Sequence, residues 1–107
     1  MNREIKFRAW HLEDGMLYFD LDNFIKDYHD QYGNIMQYTG LKDKNGNEVY
    51  ESDIVQSDAW NYPFEVIFNN EKARFVCKLK TGLTQYIDGE SLVVVGNIYE
   101  TPQLLKP

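Results

Sequence analysis

The chain has 107 residues, of which 43% are apolar and 15% aromatic, with 11 basic and 17 acidic side chains for a net charge of −6. That length suits one domain spanning 1–107 with one core. The dispersed basic residues, never more than two in a run, argue against a face that tracks a nucleic-acid backbone by displacing counterions, and net acidity disfavours anionic lipid.

Ile5, Phe7 and Ala9 alternate with Lys6, Arg8 and Trp10, the period of a strand. Asp14-Gly15 then separates this run from Met16-Leu17-Tyr18-Phe19, which predicts an N-terminal hairpin because glycine accepts the positive φ of a tight turn. From Asp20 to Gly33 the pattern changes. Phe24, Ile25, Tyr28 and Tyr32 fall at spacings of three and four, so this stretch is read either as a short helix capped by Asp22 and ended by Gly33, or as an irregular insertion.

Ile35 to Thr39 reads as a strand, followed by a turn cluster over Asp43-Lys44-Asn45-Gly46-Asn47. Glu48-Val49-Tyr50 and Asp53-Ile54-Val55 are two further short strands, and Pro63 interrupts pairing because it has no N–H to donate. Phe64 to Phe68 and Ala73 to Leu79 flank a second hairpin turn; Gln85-Tyr86-Ile87 and Leu92 to Val95 follow. Pro102 ends the regular pattern, and Leu104 and Leu105 are expected to dock the tail on the core. Many short strands with closely spaced turn signals predict an all-β fold: a small SH3-like barrel over about residues 53–95, extended by the N-terminal hairpin and the strand near Met36.

No stretch is apolar over the length a membrane helix needs, and the N-terminus lacks the apolar run of a signal peptide, so the expected compartment is the cytoplasm. A lone cysteine, Cys77, agrees with a reducing compartment. It alternates in phase with Phe75 and Leu79 and should face the core with them, where a thiol is inert. His11 and His29 are the only imidazoles, and no spacing of His, Cys or Glu outlines a metal site. The run from Asp43 to Glu48 superficially resembles a calcium loop, but its glycine falls at the fourth position instead of the sixth, and turn chemistry accounts for it. Glu48, Glu51, Asp53 and Asp58 are read as a solvated acidic rim. No phosphate loop, nucleophile elbow or triad is visible, so neither catalysis nor a cofactor is expected.

Two surfaces remain as candidates. Trp60, Tyr62 and Phe64 can either line a partner-binding groove or fold inward to seal one end of the barrel. Lys6, Arg8, Lys78 and Lys80 can gather beside Trp10 as a nucleic-acid face, the alternative to protein interaction or self-assembly.

Three stretches carry a family resemblance: Ile5-Lys6-Phe7-Arg8-Ala9-Trp10, the long central run from Met36 to Val55, and Gly96-Asn97-Ile98-Tyr99-Glu100-Thr101-Pro102-Gln103-Leu104-Leu105. In order and wording they resemble the signatures of the YopX family of phage and prophage proteins. The resemblance implies an all-β fold, a phage or prophage origin and the cytoplasm of a bacterial host, and it implies no activity. One departure is Ser52, where the family pattern has glycine before Asp-Ile-Val. Glycine would adopt more of the backbone conformations available at that position.

Overall fold

The structure is a computed structural model, and it describes residues 4–20, 22–23, 34–57, 62–79, 82, 84–87 and 91–105. These form an all-β protein with two antiparallel sheets, one of them a half-barrel.

The first sheet contains β1 (Lys6–His11), β2 (Gly15–Asp20), β3 (Ile35–Lys42) and β4 (Glu48–Tyr50), in the order β2-β1-β3-β4. The expected hairpin forms: β1 pairs β2 in unbroken register from Lys6↔Asp20 to His11↔Gly15, and Gly15 takes a φ of +80°. β3 lies on the other side of β1, with Arg8 opposite Met36. Past Tyr38 the register with β4 shifts, and Gly40 adopts φ +88° within that irregularity. Thr39 donates its hydroxyl to the Val49 carbonyl and accepts the Leu41 N–H, so the polar groups freed by the shift are satisfied locally.

The second sheet contains β5 (Asp53–Ser57), β6 (Phe64–Asn69), β7 (Arg74–Lys78), β8 (Thr84–Tyr86) and β9 (Leu92–Asn97), in the order β8-β7-β6-β5-β9. These strands fall on the segment expected to form the small barrel. Alternate side chains meet β4 to make the core: Val49, Val55, Phe64, Val66, Cys77 and Leu92, with Leu79, Ile87 and Val94 packed against them. Each aliphatic or aromatic chain taken fully from water contributes roughly 1.5–3 kcal/mol, which is what holds strands this short together. Phe75, expected beside Cys77 in this core, is only partly buried and packs edge-on against Phe68 at 5.2 Å.

The sheets are joined by backbone as well as by side chains. Ser52 N–H donates to the Val66 carbonyl, Ile98 N–H donates to Ser52, and Glu51 N–H donates to Gln37 on β3. The turn after β3 closes on β9: Lys44 N–H donates to the Leu92 carbonyl, and Val94 N–H donates to the Asp43 carboxylate. The tail forms a short 3-10 helix at Pro102–Leu105 set against β9, but Leu104 stays exposed and Leu105 only half-buried, so it lies on the sheet without entering the core.

For the stretch after β2, Asp22 and Asn23 are helical, and the Asn23 N–H is accepted by Asp20, not Asp22. The cap therefore sits two residues earlier than the spacing indicated. The remainder of the expected helix, with His29, lies outside the described residues, as do Asp58, Trp60 and Lys80.

Candidate functional site

The three sequence signatures, far apart in the chain, converge at the junction of the two sheets. Arg8 comes from β1, Glu48 and Tyr50 from β4, Asp53 from the start of β5, and Gly96 and Asn97 from the end of β9. They line an open cleft of about 420 Å³ together with Tyr18, Asn47 and Glu100.

Arg8 is the centre of this junction. Its side chain is 4% exposed, and its Nη2 donates to Asp53 Oδ1 at 2.9 Å and to the Glu51 carbonyl at 3.0 Å. Nε lies 3.4 Å from the Met36 sulfur, and the guanidinium stacks 4.8 Å over the Tyr50 ring. The second carboxylate oxygen of Asp53 accepts the Tyr50 N–H at 2.7 Å. Burial pushes the Asp53 carboxyl above its ordinary range, while the Arg8 charge and these hydrogen bonds work against that lift. Both charges are thereby paired and hydrogen-bonded, the condition under which buried ions are tolerated.

Around this pair lies a ring of tyrosines and a surface ion pair. Tyr38 and Tyr50 meet at 5.4 Å, and Tyr18 packs edge-on against Tyr50 at 5.7 Å. Burial, followed by the Glu48 charge, pushes the Tyr50 hydroxyl up to about 12. Lys6 bonds Glu48 and Glu4 and sits 5.6 Å over the Tyr38 ring. Those carboxylates raise its ammonium well above the ordinary lysine range.

Asp43 occupies the second polar node. One oxygen accepts the Asn45 and Asn47 N–H groups, and the other accepts the Val94 N–H, all at 2.9 Å, with Asn47 Nδ2 at 3.4 Å. Burial raises the Asp43 carboxyl, but the four donors together hold it below its ordinary value. Its oxygens thus serve N–H donors of the turn and of β9, as the turn reading of this loop expects for Asn45 and Asn47.

The C-terminal signature has an equally local explanation. Asn97 Oδ1 accepts the N–H groups of Tyr99 and Glu100, and Thr101 Oγ1 accepts the Asn97 N–H. A Cβ on Gly96 would lie 1.9 Å from Thr101 Oγ1, so glycine is required by close approach. Tyr99 stacks on Trp10 at 5.9 Å, tying this turn to the first signature.

A family model described as YopX protein matches residues 16–106. The chain belongs to the YopX family. No curated protein matches it. Among solved structures it is similar to the crystal structure of protein EF1440 from Enterococcus faecalis, at 23% identity and a TM-score of 0.68. That likeness covers 98% of this chain and 100% of the other, and it bears on the fold.

The residues singled out from sequence are dispersed. Lys6, Arg8 and Trp10 do share one face of β1, but Arg8 is buried against Asp53 and Lys6 is held by glutamates, while Lys78 belongs to β7 in the other sheet. The basic face beside Trp10 therefore loses its central member to the interior. Of the aromatic patch, Phe64 is a core residue at 2% exposure, whereas Tyr62 is 52% exposed and packs edge-on against Phe64. Cys77 sits in the core, where burial alone pushes its thiol up to about 11. His11 lies at the hairpin turn, its Nδ1 accepting the Asp14 N–H at 3.2 Å. Sequence reasoning missed Asp53 as an internal node by placing it on a solvated acidic rim, and read Asp43 as a turn residue without its bond to β9. Their position inside the family signatures is the available signal, and for Asp53 the charge suggests solvent.

Proposed function

We propose that this YopX-family protein is a phage- or prophage-encoded interaction module of the bacterial cytoplasm, non-catalytic, whose partner is another copy of itself or a second phage or host protein. The observation that carries this reading is how the side chains are used. The charged groups gathered by the signatures bind one another: Arg8 and Asp53 pair, and Asp43 holds backbone N–H groups. Residues spent in this way position the sheets and leave little to act on a substrate. Apolar side chains, in contrast, stand at the surface. Leu41 and Phe68 are exposed and, with Phe75 and Ile87 and the polar Gln37, Thr39 and Arg74, line an open cleft of about 540 Å³ of mixed character. Exposed aliphatic and aromatic side chains beside polar groups can anchor a protein partner, the polar groups fixing its orientation.

Light scattering across a concentration series tests the reading, together with affinity capture from an infected or lysogenic host. A mass well above 12.7 kDa, or a captured protein whose binding is lost when Leu41 or Phe68 is replaced by lysine, supports it. A monomer at every concentration that captures nothing removes it. A gel shift at low salt that weakens as salt rises would instead favour a nucleic-acid partner, since phosphate contacts release counterions. The burial of Arg8 speaks against that outcome.

A further inference from the structure

Among the described residues the two sheets have four edges, and three of them are blunted. β8 and β4 are three residues long, too short to template a stable pairing. β9 is longer, but its edge is occupied where Lys44 N–H and the Asp43 carboxylate engage the backbone of Leu92 and Val94. β2 is different. It is six residues long, runs in regular register with β1 and shows no bulge. It contains no lysine, arginine or proline, the devices by which edge strands are usually protected. Its sequence is Gly-Met-Leu-Tyr-Phe-Asp, with Tyr18 61% exposed.

From this contrast we propose that β2 is a self-association edge, pairing antiparallel with β2 of a second copy across a two-fold axis near Leu17 and Tyr18. This rests on the reading of the chain as an interaction module and adds a self-association edge separate from the Leu41–Phe68 cleft. The charge pattern selects the occupant. Asp20 is the strand's one charged residue and stands at its end. Antiparallel pairing sends the two Asp20 carboxylates to opposite ends, each facing the Gly15-Met16 end of its partner, so no like charges are opposed. The two-fold relation also makes the contact isologous and self-limiting, merging two four-stranded sheets into one. Because each copy carries net −6, added salt screens subunit repulsion and should strengthen the dimer, opposite to its effect on a phosphate complex.

Light scattering and cross-linking on the full chain test this. The wild type is expected at about twice 12.7 kDa, with the dimer fraction rising with salt. Tyr18→Lys places like charges together at the centre of the pairing and should raise the dissociation constant about tenfold or more. Leu12→Lys, at the hairpin tip and 91% exposed, should leave it unchanged. Urea midpoints of both variants check that the fold persists. In a second readout, Tyr18→Cys should join to its own copy through a short bismaleimide, whereas Leu12→Cys should not. Buried Cys77 adds little background. Monomeric wild type at all concentrations and salts overturns both this interface and self-assembly. A dimer insensitive to Tyr18→Lys and not captured through Tyr18→Cys overturns the β2 interface alone and leaves the interaction reading standing.

Discussion

At Ser52 the backbone φ is +70°, a left-handed conformation that a side chain with a Cβ occupies at a cost of roughly 1–2 kcal/mol. Backbone bonds fix it there, since Ser52 donates to Val66 and accepts from Ile98. The glycine of the family pattern would remove that strain, offset in part by the greater freedom glycine gives the unfolded chain. Ser52→Gly is therefore expected to stabilise the protein by about 0.5–1 kcal/mol. Urea denaturation at constant slope measures it, and a loss of stability would show that the serine side chain holds the turn in another way. The Arg8–Asp53 pair belongs to the same scale. Arg8→Met leaves a buried carboxylate without its counter-charge and should cost about 3–5 kcal/mol. Asp53→Asn in the same chain keeps an acceptor for the Tyr50 N–H and removes the orphaned charge. The double variant should thus recover about 1–3 kcal/mol relative to additivity, measured as a double-mutant cycle. Strict additivity would mean that the two groups do not interact.

The turn from Asp43 to Asn47 acts as the clasp between the sheets, because it occupies the β9 edge that would otherwise stay open. Asp43→Asn weakens a charged acceptor with four donors and should cost about 1–3 kcal/mol at neutral pH. Its pH dependence has a definite sign. The folded carboxyl titrates below its ordinary value, so its contribution is complete above the unfolded value of about 3.9 and is lost as pH falls through the folded one. The difference in stability between wild type and Asp43→Asn should therefore shrink as pH drops from about 4 towards 2. A difference constant across that range would mean the carboxylate charge is not what the donors require. Most strands were legible from alternation and turn residues because a sheet with one dry face imposes a period of two. The hairpin, both sheets' strands and the core position of Cys77 all follow from it. Arg8 illustrates what that logic misses. Its face of β1 carries Lys6 and looked like the wet side, yet it is turned toward the second sheet, where Asp53 meets it. Periodicity identifies which residues share a face, but only tertiary pairing decides whether a charged face is buried. Asp43 reads as a turn residue and is one; its second role, accepting the N–H of Val94 51 positions away, is invisible to local sequence.

At the scale of the molecule, the core behind Cys77 is assembled from both sheets, since Val49 comes from β4 and Val55, Phe64, Val66 and Leu92 from the second sheet. Opening it means separating β4, the clasp and the Arg8–Asp53 tie together, so exposure of the thiol should require unfolding of the whole assembly. Thiolate formation is disfavoured as well, with burial holding the group near 11, so the folded state offers almost no nucleophile at pH 8. Alkylation of Cys77 at that pH should accordingly be slow in the native protein and accelerate with urea along the same slope as global unfolding. The variants change its rate by their own stability differences: faster for Arg8→Met, slower for Ser52→Gly. Labelling that is rapid in native buffer, or that ignores urea until the unfolding transition, would mean that a local opening of β7 exposes the thiol. The two halves of the core would then be separately stable, and the polar junction between the sheets could no longer be what couples them.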